Sequence, residues 1–332
     1  MDTYVKRKSS IAVAVAGLLV GMILSFVVFV FGYLYFVVGL RHFDRTGKIP
    51  IETNLERLDV PPNMSAGMRV PVKTGNHIRN ILVIGSDTRD PDKHGRSDAM
   101  ILVTINTKTK KIHLTSLMRA IYVSIPDDAD PQYKKHWSSK YMLNAAHTWG
   151  GPRLLMKTIQ RNFRVDVSHY VATDFSGFQG AIDEVGGVSI DLTAAEAKYL
   201  SRQTGKSFKA GMQLLDGETA LKYTRIRKLD SDFKRTERQR NVIMALFKKM
   251  GSSNPKRIAT TAEALMPYVT TNLTDFEFIG LIFDFISYRH YDIDQMMLPL
   301  ELYKAMVIIR GMEMYDINWE DNINALHAFM ES

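Results

Sequence analysis

The chain has 332 residues, of which 45% are hydrophobic and 23% are charged, a balance typical of a globular protein with one large or two small domains. Its formal net charge of +8 favours anionic partners such as phosphates, anionic lipids, anionic polymers or nucleic acid. The absence of cysteine excludes disulfides, thiolate zinc sites and thiol catalysis.

The first feature in chain order is a charge-free apolar run over residues 11–38. As a helix it would be about 42 Å long, enough to cross a hydrocarbon core of about 30 Å. Lys6, Arg7 and Lys8 precede it, so the positive-inside rule places residues 1–10 in the cytoplasm and the rest of the chain outside. A cleaved signal peptide is the alternative, but its apolar region is usually shorter and no clear cleavage site follows. We therefore predict a single-pass protein of the cell membrane with an uncleaved transmembrane helix.

Residues 39–77 predict an extracytoplasmic stalk, because they are polar, lack sustained periodicity and contain several prolines. A short amphipathic helix is compatible with Thr53–Leu58 within this stalk. The folded, catalytic domain is then expected over residues 78–332.

Strand-like and helix-like patterns alternate along this domain. Strands rich in Ile, Val, Leu and Thr are predicted at residues 80–84, 99–106, 111–117, 169–173, directly after Gly186, and near 295–299. Helices are predicted at residues 151–163, 175–185, 193–203, 216–224, 234–250 and 319–330. Thr193 and Glu196 predict a capping box at the start of the third of these helices, and Asp216 is the predicted N-cap of the fourth. The alternation predicts an α/β fold with three layers (αβα), in which a mixed central β-sheet is flanked by helices.

Charged side chains gather where the first three of these strands end. Asp87, Arg89, Arg96 and Asp98 lie between the first two strands, and Arg119 follows the third. Burying charge costs free energy unless a metal, an anion or an opposite charge compensates. Carboxylates beside arginines therefore point to a divalent cation and a phosphate held together.

A second charged cluster precedes and opens the helix predicted at residues 234–250. Arg225 and Arg227 alternate, so an extended segment would direct both to one side. Arg235 and Gln239 share a helix face, and Arg235 lies in the first turn, where free N–H groups favour an anion. Three arginines in this arrangement are suited to grip a diphosphate. The alternative is a solvated basic face or surface ion pairs with nearby acids, namely Asp230, Asp232 and Glu237.

Several other kinds of site are excluded. The histidines do not show metal-ligand spacing such as HExxH, and the chain has no P-loop, no G-x-S-x-G elbow and no G-x-G-x-x-G. Aromatic residues do not interleave with basic ones as on a nucleic-acid platform, and we expect no nucleic-acid partner.

Six segments resemble, in order, the successive motifs of the LytR-CpsA-Psr family: NILVIGSDTR…GRSDAMILVTIN, LTSLMRAIYVSIP, LNAAHTWGGPRLLMKTIQRNF, DFSGFQGAIDEVGGVSIDL, LLDGETALKYTRIR and DFKRTERQR. The resemblance runs from about Ile78 to the C-terminus. It implies an extracytoplasmic phosphotransferase of Gram-positive bacteria. Such an enzyme moves a glycopolymer (teichoic acid, capsule or a related polysaccharide) from an undecaprenyl pyrophosphate carrier to peptidoglycan.

The resemblance also implies roles for individual residues. Asp87 and Asp98 match aspartates associated with Mg²⁺, for which Mn²⁺ is an alternative. The side chains matching the phosphate site are Arg89, Arg96, Arg119, Arg225, Arg227, Arg235 and Gln239. Of these, Arg119, Arg225 and Arg227 are expected to be catalytic, because they would stabilise charge on the transferred and leaving phosphates. Apolar side chains between sheet and helices would form a tunnel for the polyprenyl tail.

Two positions depart from the family pattern. Ala120 stands where the family usually has an aspartate after the arginine, and Met142 stands where a lysine is common. The general base is therefore unassigned. Two alternatives follow: a non-catalytic member that binds polyprenyl pyrophosphate or regulates, and a lipid pyrophosphatase that uses water in place of the sugar hydroxyl.

Overall fold

The computed structural model describes residues 25, 42–44, 71–88, 94–300 and 304–332. The predicted transmembrane helix apart from Ser25, most of the predicted stalk with its helix at 53–58, and Arg89 lie outside the described residues. Within the described part of the chain, no helix has both the length and the apolar character needed to cross a membrane.

The strands, in chain order, are β1 (His42–Phe43), β2 (Ile78–Ser86), β3 (Ser97–Asn106), β4 (Lys111–Leu117), β5 (Tyr122–Ser124), β6 (Lys140–Met142), β7 (His169–Thr173), β8 (Val188–Leu192), β9 (Gly211–Leu215), β10 (Thr270–Thr271), β11 (Asp292–Leu298), β12 (Lys304–Ile309) and β13 (Met312–Ile317). The α-helices are α1 (Leu143–Phe163), α2 (Phe175–Glu184), α3 (Ala194–Thr204), α4 (Gly217–Thr224), α5 (Asp232–Gly251), α6 (Pro255–Leu265), α7 (Asp275–Tyr288) and α8 (Trp319–Glu331). Short 3₁₀ turns lie at Pro131–Tyr133 and Met266–Tyr268.

A seven-stranded mixed sheet, in the order β1-β10-β7-β2-β3-β4-β11, forms the centre of the fold. Strands β2, β3 and β4 are antiparallel neighbours. Strand β7 runs parallel to β2, and β11 runs parallel to β4. The pairs β5–β6, β8–β9 and β12–β13 form separate two-stranded sheets. The predicted α/β architecture with a mixed central sheet is confirmed.

Helices cover both faces of this sheet, because successive strand residues point to opposite sides. Leu82 and Ile84 of β2 belong to a buried apolar cluster that also takes in α1 and α8. Val83 of the same strand and Ile101 of β3 pack instead with Ile243 and other residues of α5. The end of β2 and the start of β3, where Asp87 and Asp98 lie, are thus held between two packed layers of helices.

The helix boundaries follow local sequence signals with one exception. Thr193 and Glu196 form the predicted capping box of α3, and Asp216 caps α4 through the N–H of Thr219. The prediction that α1 begins at Gly151 is wrong, since the helix begins at Leu143. Gly151 has a φ of 63°, and a Cβ there would lie 2.7 Å from His94 Cε1. This kink separates α1 into two parts, and the sequence pattern identified only the second.

Two described pieces of the predicted stalk segment are bound to the domain. Strand β1 pairs in parallel with β10 at the edge of the central sheet. Near Ile78, the N–H of Lys73 donates to the carbonyl of Arg164 at 2.7 Å, and Lys73 Nζ lies 2.6 Å from Glu331. Ordered contacts therefore begin before the predicted domain boundary.

Candidate active site

The loop that joins β2 to β3 closes at its base through Asp87 and Arg96. The N–H of Asp87 donates to the carbonyl of Arg96 at 3.1 Å, and the N–H of Arg96 donates to Asp87 Oδ1 at 2.6 Å. Gly95 is required at this base, since a Cβ there would lie 2.5 Å from Thr88 Oγ1 and 2.6 Å from Asp87 Oδ1. The Asp87 carboxylate is thereby fixed at the mouth of a polar cavity.

The second carboxylate, Asp98, lies near the start of β3 and contacts two arginines. Arg119 Nη1 donates to Asp98 Oδ1 at 3.2 Å, and Arg227 Nη2 lies 3.9 Å from Asp98 Oδ2. Arg119 Nε also lies 3.8 Å from Asp232 Oδ2. Two carboxylates therefore orient Arg119, although residue 120 is alanine.

Arg235 is the most deeply buried cation of this group, with 2% of its side chain exposed. Its Nη2 donates to Asp232 Oδ2 at 3.0 Å, but its Nε makes no hydrogen bond within the described structure. Burial lowers the pKa of Arg235 to about 10, and the positive charges of Arg119 and Arg227 act in the same direction. A guanidinium that is buried, incompletely bonded and crowded by like charge favours an anion beside it.

Two cavities meet at this cluster. A polar cavity of about 430 Å³ is lined by Asp87, Arg96, Asp98, Arg119, Phe175, Arg225 and Arg227. An apolar cavity of about 240 Å³ lies between sheet and helices, and its walls include Val83, Ile101, Val171, Phe178, Ile182 and Ile243. The two share the side chains of Asp98, Phe175, Arg225 and Arg227, and the apolar cavity also reaches Arg235 and Gln239. An apolar chamber therefore ends at a cluster of arginines.

Phe175 forms part of the junction between these cavities. The guanidinium carbon of Arg225 lies 4.4 Å from the centre of its ring, a cation–π contact that holds this arginine over the opening. Ile226 is fully buried between Arg225 and Arg227. This buried anchor leaves the arginines on either side of it lining both cavities.

A third cavity of about 540 Å³ adjoins the polar one and shares Asp87 and Arg96 with it. Its other walls include His94, His136, Asn144, Tyr141, Trp149 and Arg310. Tyr141 and Trp149 stack with ring centres 5.6 Å apart, and Arg310, at the tip of the β12–β13 hairpin, lies 5.9 Å from the Tyr141 ring. Polar, aromatic and cationic groups thus surround a second approach to the arginine cluster.

His147 supports the loop that carries Asp87. Its Nδ1–H donates to the carbonyl of Gly95 at 2.8 Å, and its ring centre lies 6.0 Å from that of His94. Burial lowers the pKa of His147 to about 4, so the ring is neutral at physiological pH. A neutral histidine holds the loop without adding charge to the site.

The arginine-rich segment at the start of α5 divides into two sets. Arg238 is an ion-pair residue, bonded to Glu196 at 2.6 Å and to Asp230, and Arg240 bonds to Gln295 and Ser116. The ion-pair interpretation of this segment therefore holds for Arg238. Arg225, Arg227 and Arg235 instead face the cavities.

The structure brings almost all of the predicted site residues to these connected cavities, namely Asp87, Arg96, Asp98, Arg119, Arg225, Arg227, Arg235 and Gln239. Arg89 lies outside the described residues, so its place is not assigned. Asp232 was interpreted from the sequence only as an ion-pair partner, although its i, i+3 spacing to Arg235 was the signal that it belongs to the site. Sequence reasoning also missed Phe175 and Arg310.

The described residues contain no group of three or more histidine, aspartate or glutamate side chains placed to hold a metal ion. Asp87 and Asp98 nevertheless line one cavity and offer only oxygen ligands. Such a pair fits a hard cation like Mg²⁺, which keeps several water ligands and completes its coordination with phosphate oxygens.

The sequence profile of the LytR_cpsA_psr family matches residues 55–329. The chain belongs to this family. One relative is the polyisoprenyl-teichoic acid–peptidoglycan teichoic acid transferase TagV of Bacillus subtilis, 34% identical over 208 residues, which are 61% of this chain and 51% of TagV. Another is the regulatory protein MsrR of Staphylococcus aureus, 35% identical over 209 residues, which are 62% of this chain and 59% of MsrR.

A solved structure described as TagT bound to LIIa-WTA has the same fold, with a TM-score of 0.61 and 25% identity. The superposition covers 77% of this chain and 90% of the TagT chain. By contrast, the sequence matches to TagV and MsrR span between half and three-fifths of those relatives' own length.

Proposed function

We propose that this protein is a Mg²⁺-dependent phosphotransferase that moves a glycopolymer from a polyprenyl pyrophosphate carrier to peptidoglycan. One observation carries the proposal: an apolar cavity and an arginine-rich cavity adjoin each other, since Asp98, Phe175, Arg225 and Arg227 line both. A ligand that fits both must be an amphiphile with a hydrocarbon tail and a polyanionic head. The names of the relative TagV and of the ligand-bound TagT structure support the same substrate class.

The apolar cavity would hold part of the polyprenyl tail. Val83, Val171, Phe178 and Ile243 give it walls that offer no hydrogen bonds from side chains. Moving hydrocarbon from water into such a space is favourable by about 0.8 kcal/mol for each buried CH₂ group. The tail would therefore supply much of the binding free energy, and its position would set the diphosphate at the cavity junction.

The diphosphate would bind among Arg119, Arg225, Arg227 and Arg235. Guanidinium groups bind phosphate through paired, charge-assisted hydrogen bonds. Nε of Arg235 is buried and makes no hydrogen bond, so its N–H can donate to a phosphate oxygen without first losing water. These arginine N–H donors are already positioned before the reaction, so they would stabilise the negative charge that develops on the transferred and leaving phosphates.

Asp87 and Asp98, which line the same cavity, would hold Mg²⁺. Bound there, the ion supplies neutralisation of phosphate charge and polarisation of the phosphorus. Arginines adjoin both carboxylates, since Asp98 contacts Arg119 and Arg227 and Asp87 lies 3.7 Å from Arg96 Nε.

In the reaction, a sugar hydroxyl of the acceptor would attack the phosphorus that carries the glycopolymer. The new O–P bond forms as the bridging P–O bond breaks, polyprenyl phosphate leaves with the electron pair, and the hydroxyl proton passes to this leaving phosphate. The acceptor would approach through the third cavity, which adjoins the phosphate site at Asp87 and Arg96. The apolar run at residues 11–38 would anchor the enzyme in the cell membrane, with residues 1–10 in the cytoplasm and the active site outside.

The test compares carrier-linked glycan with and without a peptidoglycan acceptor, using the full-length protein in detergent. We expect transfer that requires both the acceptor and Mg²⁺. Arg227→Ala should reduce transfer strongly, whereas Arg202→Ala, on the exposed surface of α3, should not. Release of glycan phosphate without an acceptor would indicate a pyrophosphatase, and tight lipid binding without turnover would indicate a non-catalytic member. Either result would overturn the proposal.

A further inference from the structure

The three cavities lie in series around the arginine cluster. The arginine-rich cavity shares Arg225 and Arg227 with the apolar cavity, and it shares Asp87 and Arg96 with the third cavity. Among the described residues, none lines both the apolar and the third cavity. In phosphoryl transfer the attacking and leaving oxygens lie roughly in line through the phosphorus. With the polyprenyl group in the apolar cavity, the leaving phosphate lies on that side, so the attacking hydroxyl has to enter from the side of the third cavity.

The walls of the third cavity suit a sugar ring. Trp149, which is 7% exposed, stacks with the half-buried Tyr141, and Met142 and Ala145 extend this apolar surface. Clefts that bind small molecules typically combine apolar and aromatic walls with a few placed polar groups. A pyranose ring matches this pattern, because its faces carry C–H groups and its edges carry hydroxyls.

Asn144 places an unpaired amide in this wall. It is 2% exposed, its backbone N–H donates to the carbonyl of Arg119 at 3.2 Å, and its side chain lines the third cavity. Its Oδ1 is buried without a hydrogen-bond partner in the described structure. A buried polar atom that is left unsatisfied costs free energy, which a ligand group can recover. Asn144 therefore offers a hydrogen-bonding position for a sugar next to the backbone of Arg119.

Arg310 brings a positive charge to the same cavity. It lies in the turn between β12 and β13, its side chain is exposed, and its guanidinium carbon lies 5.9 Å from the centre of the Tyr141 ring. The described part of the chain provides no carboxylate partner for it. Arg96, by contrast, already adjoins Asp87 at 3.7 Å. A guanidinium that is held beside an aromatic ring and has no acidic partner is suited to bind a carboxylate of a ligand.

We propose that the third cavity is a subsite for a muramyl peptide of the acceptor, in which the sugar packs against Tyr141 and Trp149 and a carboxylate of the peptide binds Arg310. The identity of this ligand rests on the proposed transferase function, in which peptidoglycan is the acceptor. The muramic acid of peptidoglycan carries a short acidic peptide, so one acceptor unit supplies both the ring and the carboxylate. The sugar then lies toward Asp87 and Arg96, where the third cavity meets the arginine-rich one, and the peptide extends toward the β12–β13 hairpin.

A pair of probes that differ only in charge tests the subsite: N-acetylmuramyl-L-alanyl-D-glutamate and its diamide. Their binding to the full-length protein in detergent, without a lipid donor, is measured by saturation-transfer NMR over a concentration series. Arg310→Gln removes the proposed carboxylate contact, and Asn144→Ala removes the amide. Lys140→Gln is the matched control, because Lys140 is an exposed cation on β6 that directly precedes Tyr141 but does not line the cavity.

We expect Arg310→Gln to weaken the binding of the acidic probe about tenfold, because a charge-assisted hydrogen bond is lost, and to leave the binding of the diamide unaffected. Asn144→Ala should weaken the binding of both probes, and Lys140→Gln should weaken neither. Absence of binding of the acidic probe, equal affinity of the parent protein for both probes, equal losses in Lys140→Gln and Arg310→Gln, or unchanged affinity in Asn144→Ala would each contradict the proposal. Arg310-dependent binding of poly(glycerol phosphate) but not of the muramyl peptide would assign the cavity to the donor polymer, which also counts against it.

The binding measurement requires no turnover, so it separates this subsite from the proposed reaction. Arg310-dependent binding of the acidic probe without any transfer would contradict the transferase function alone. Transfer together with probe binding that does not depend on Arg310 would contradict the subsite alone.

Discussion

Replacing Arg235 by methionine should have opposite effects on folding and on ligand binding. The guanidinium is buried and only partly bonded, and methionine has a similar length without the charge. A buried charge with incomplete partners costs stability, whereas the same charge is favourable once an anion lies beside it. We therefore expect Arg235→Met to stabilise the ligand-free protein and to weaken its affinity for polyprenyl pyrophosphate.

The size of the stability effect follows from the pKa. The pKa of Arg235 is lowered from 12.5 to about 10, chiefly by burial. Below the lowered pKa the folded protein holds the charged form less well than the unfolded chain does, so at neutral pH the charge costs at most about 3 kcal/mol. Removing it should raise the midpoint of thermal unfolding by up to about 10 °C in a domain of this size.

The binding effect has the other sign. Loss of charge-assisted hydrogen bonds to the diphosphate should cost about 1.5–3 kcal/mol, which raises Kd about tenfold to a hundredfold. Thermal unfolding followed by circular dichroism gives the first quantity, and titration calorimetry with a short-chain polyprenyl pyrophosphate gives the second. Arg238→Met is the control, because Arg238 is equally buried but bonded to Glu196 and Asp230. That variant should lose about 3–5 kcal/mol of stability.

The reasoning would be refuted if Arg235→Met unfolded at a lower temperature than the parent protein while keeping its affinity for the lipid. Such a result would mean that Arg235, like Arg238, serves the packing of α5. If both variants lost stability and both lost binding, the assignment of Arg235 to an anion site would also fail.

Three further predictions concern separate parts of the site. The pKa of His147 is lowered from 6.5 to about 4, so the free energy of unfolding should fall by up to about 3 kcal/mol as the pH falls from 6.5 to 4. The variant His147→Asn should lack this loss when unfolding is measured as a function of pH. Ala181→Phe should fill part of the apolar cavity and weaken the binding of a long-chain polyprenyl pyrophosphate about tenfold, or about 1.4 kcal/mol. The binding of geranyl pyrophosphate should be unaffected in the same competition assay. Ala120→Asp should raise the transfer rate about tenfold, or about 1.4 kcal/mol, because a further carboxylate next to Arg119 would restrain its geometry and the transition state is more sensitive to geometry than the bound state. Lipid affinity should change little, since Asp98 and Asp232 already hold Arg119 beside the phosphate site, and an unchanged rate would mean that the aspartate is dispensable here.

The central part of the fold could be predicted because its sequence signals are local. In strands β2, β3 and β4, apolar residues either alternate with polar ones or follow one another without a break. Thr193 and Asp216 cap α3 and α4, as the sequence indicates. The start of α1 could not be predicted, since Gly150 and Gly151 interrupt the helical pattern and only the packing against His94 shows why a kink is tolerated there.

The sequence predicted most of the residues that form the candidate site, but not which side chains each of them contacts. Charge at strand ends identified Asp98 and Arg119, and periodicity placed Arg235 on the face of Gln239. The sequence pattern did not separate Arg235 from Arg238, which lie one turn apart on α5. What separates them is the position of Glu196 on α3, a contact across 42 residues that local patterns do not encode.

The hairpin formed by β12 and β13 joins the site from outside the central sheet. The N–H of Tyr315 donates to the carbonyl of Ala120 at 2.8 Å, so the hairpin is fastened to the backbone next to Arg119, while Arg310 at its tip reaches the third cavity. Among the residues that the structure describes, its strands pair with each other and meet another segment at the bridge between Ile121 and Tyr315, so its tip can change without altering the pairing of the central sheet. For the proposed transferase, exchanging this hairpin between relatives is therefore a route to a different choice of acceptor with the arginine cluster unchanged.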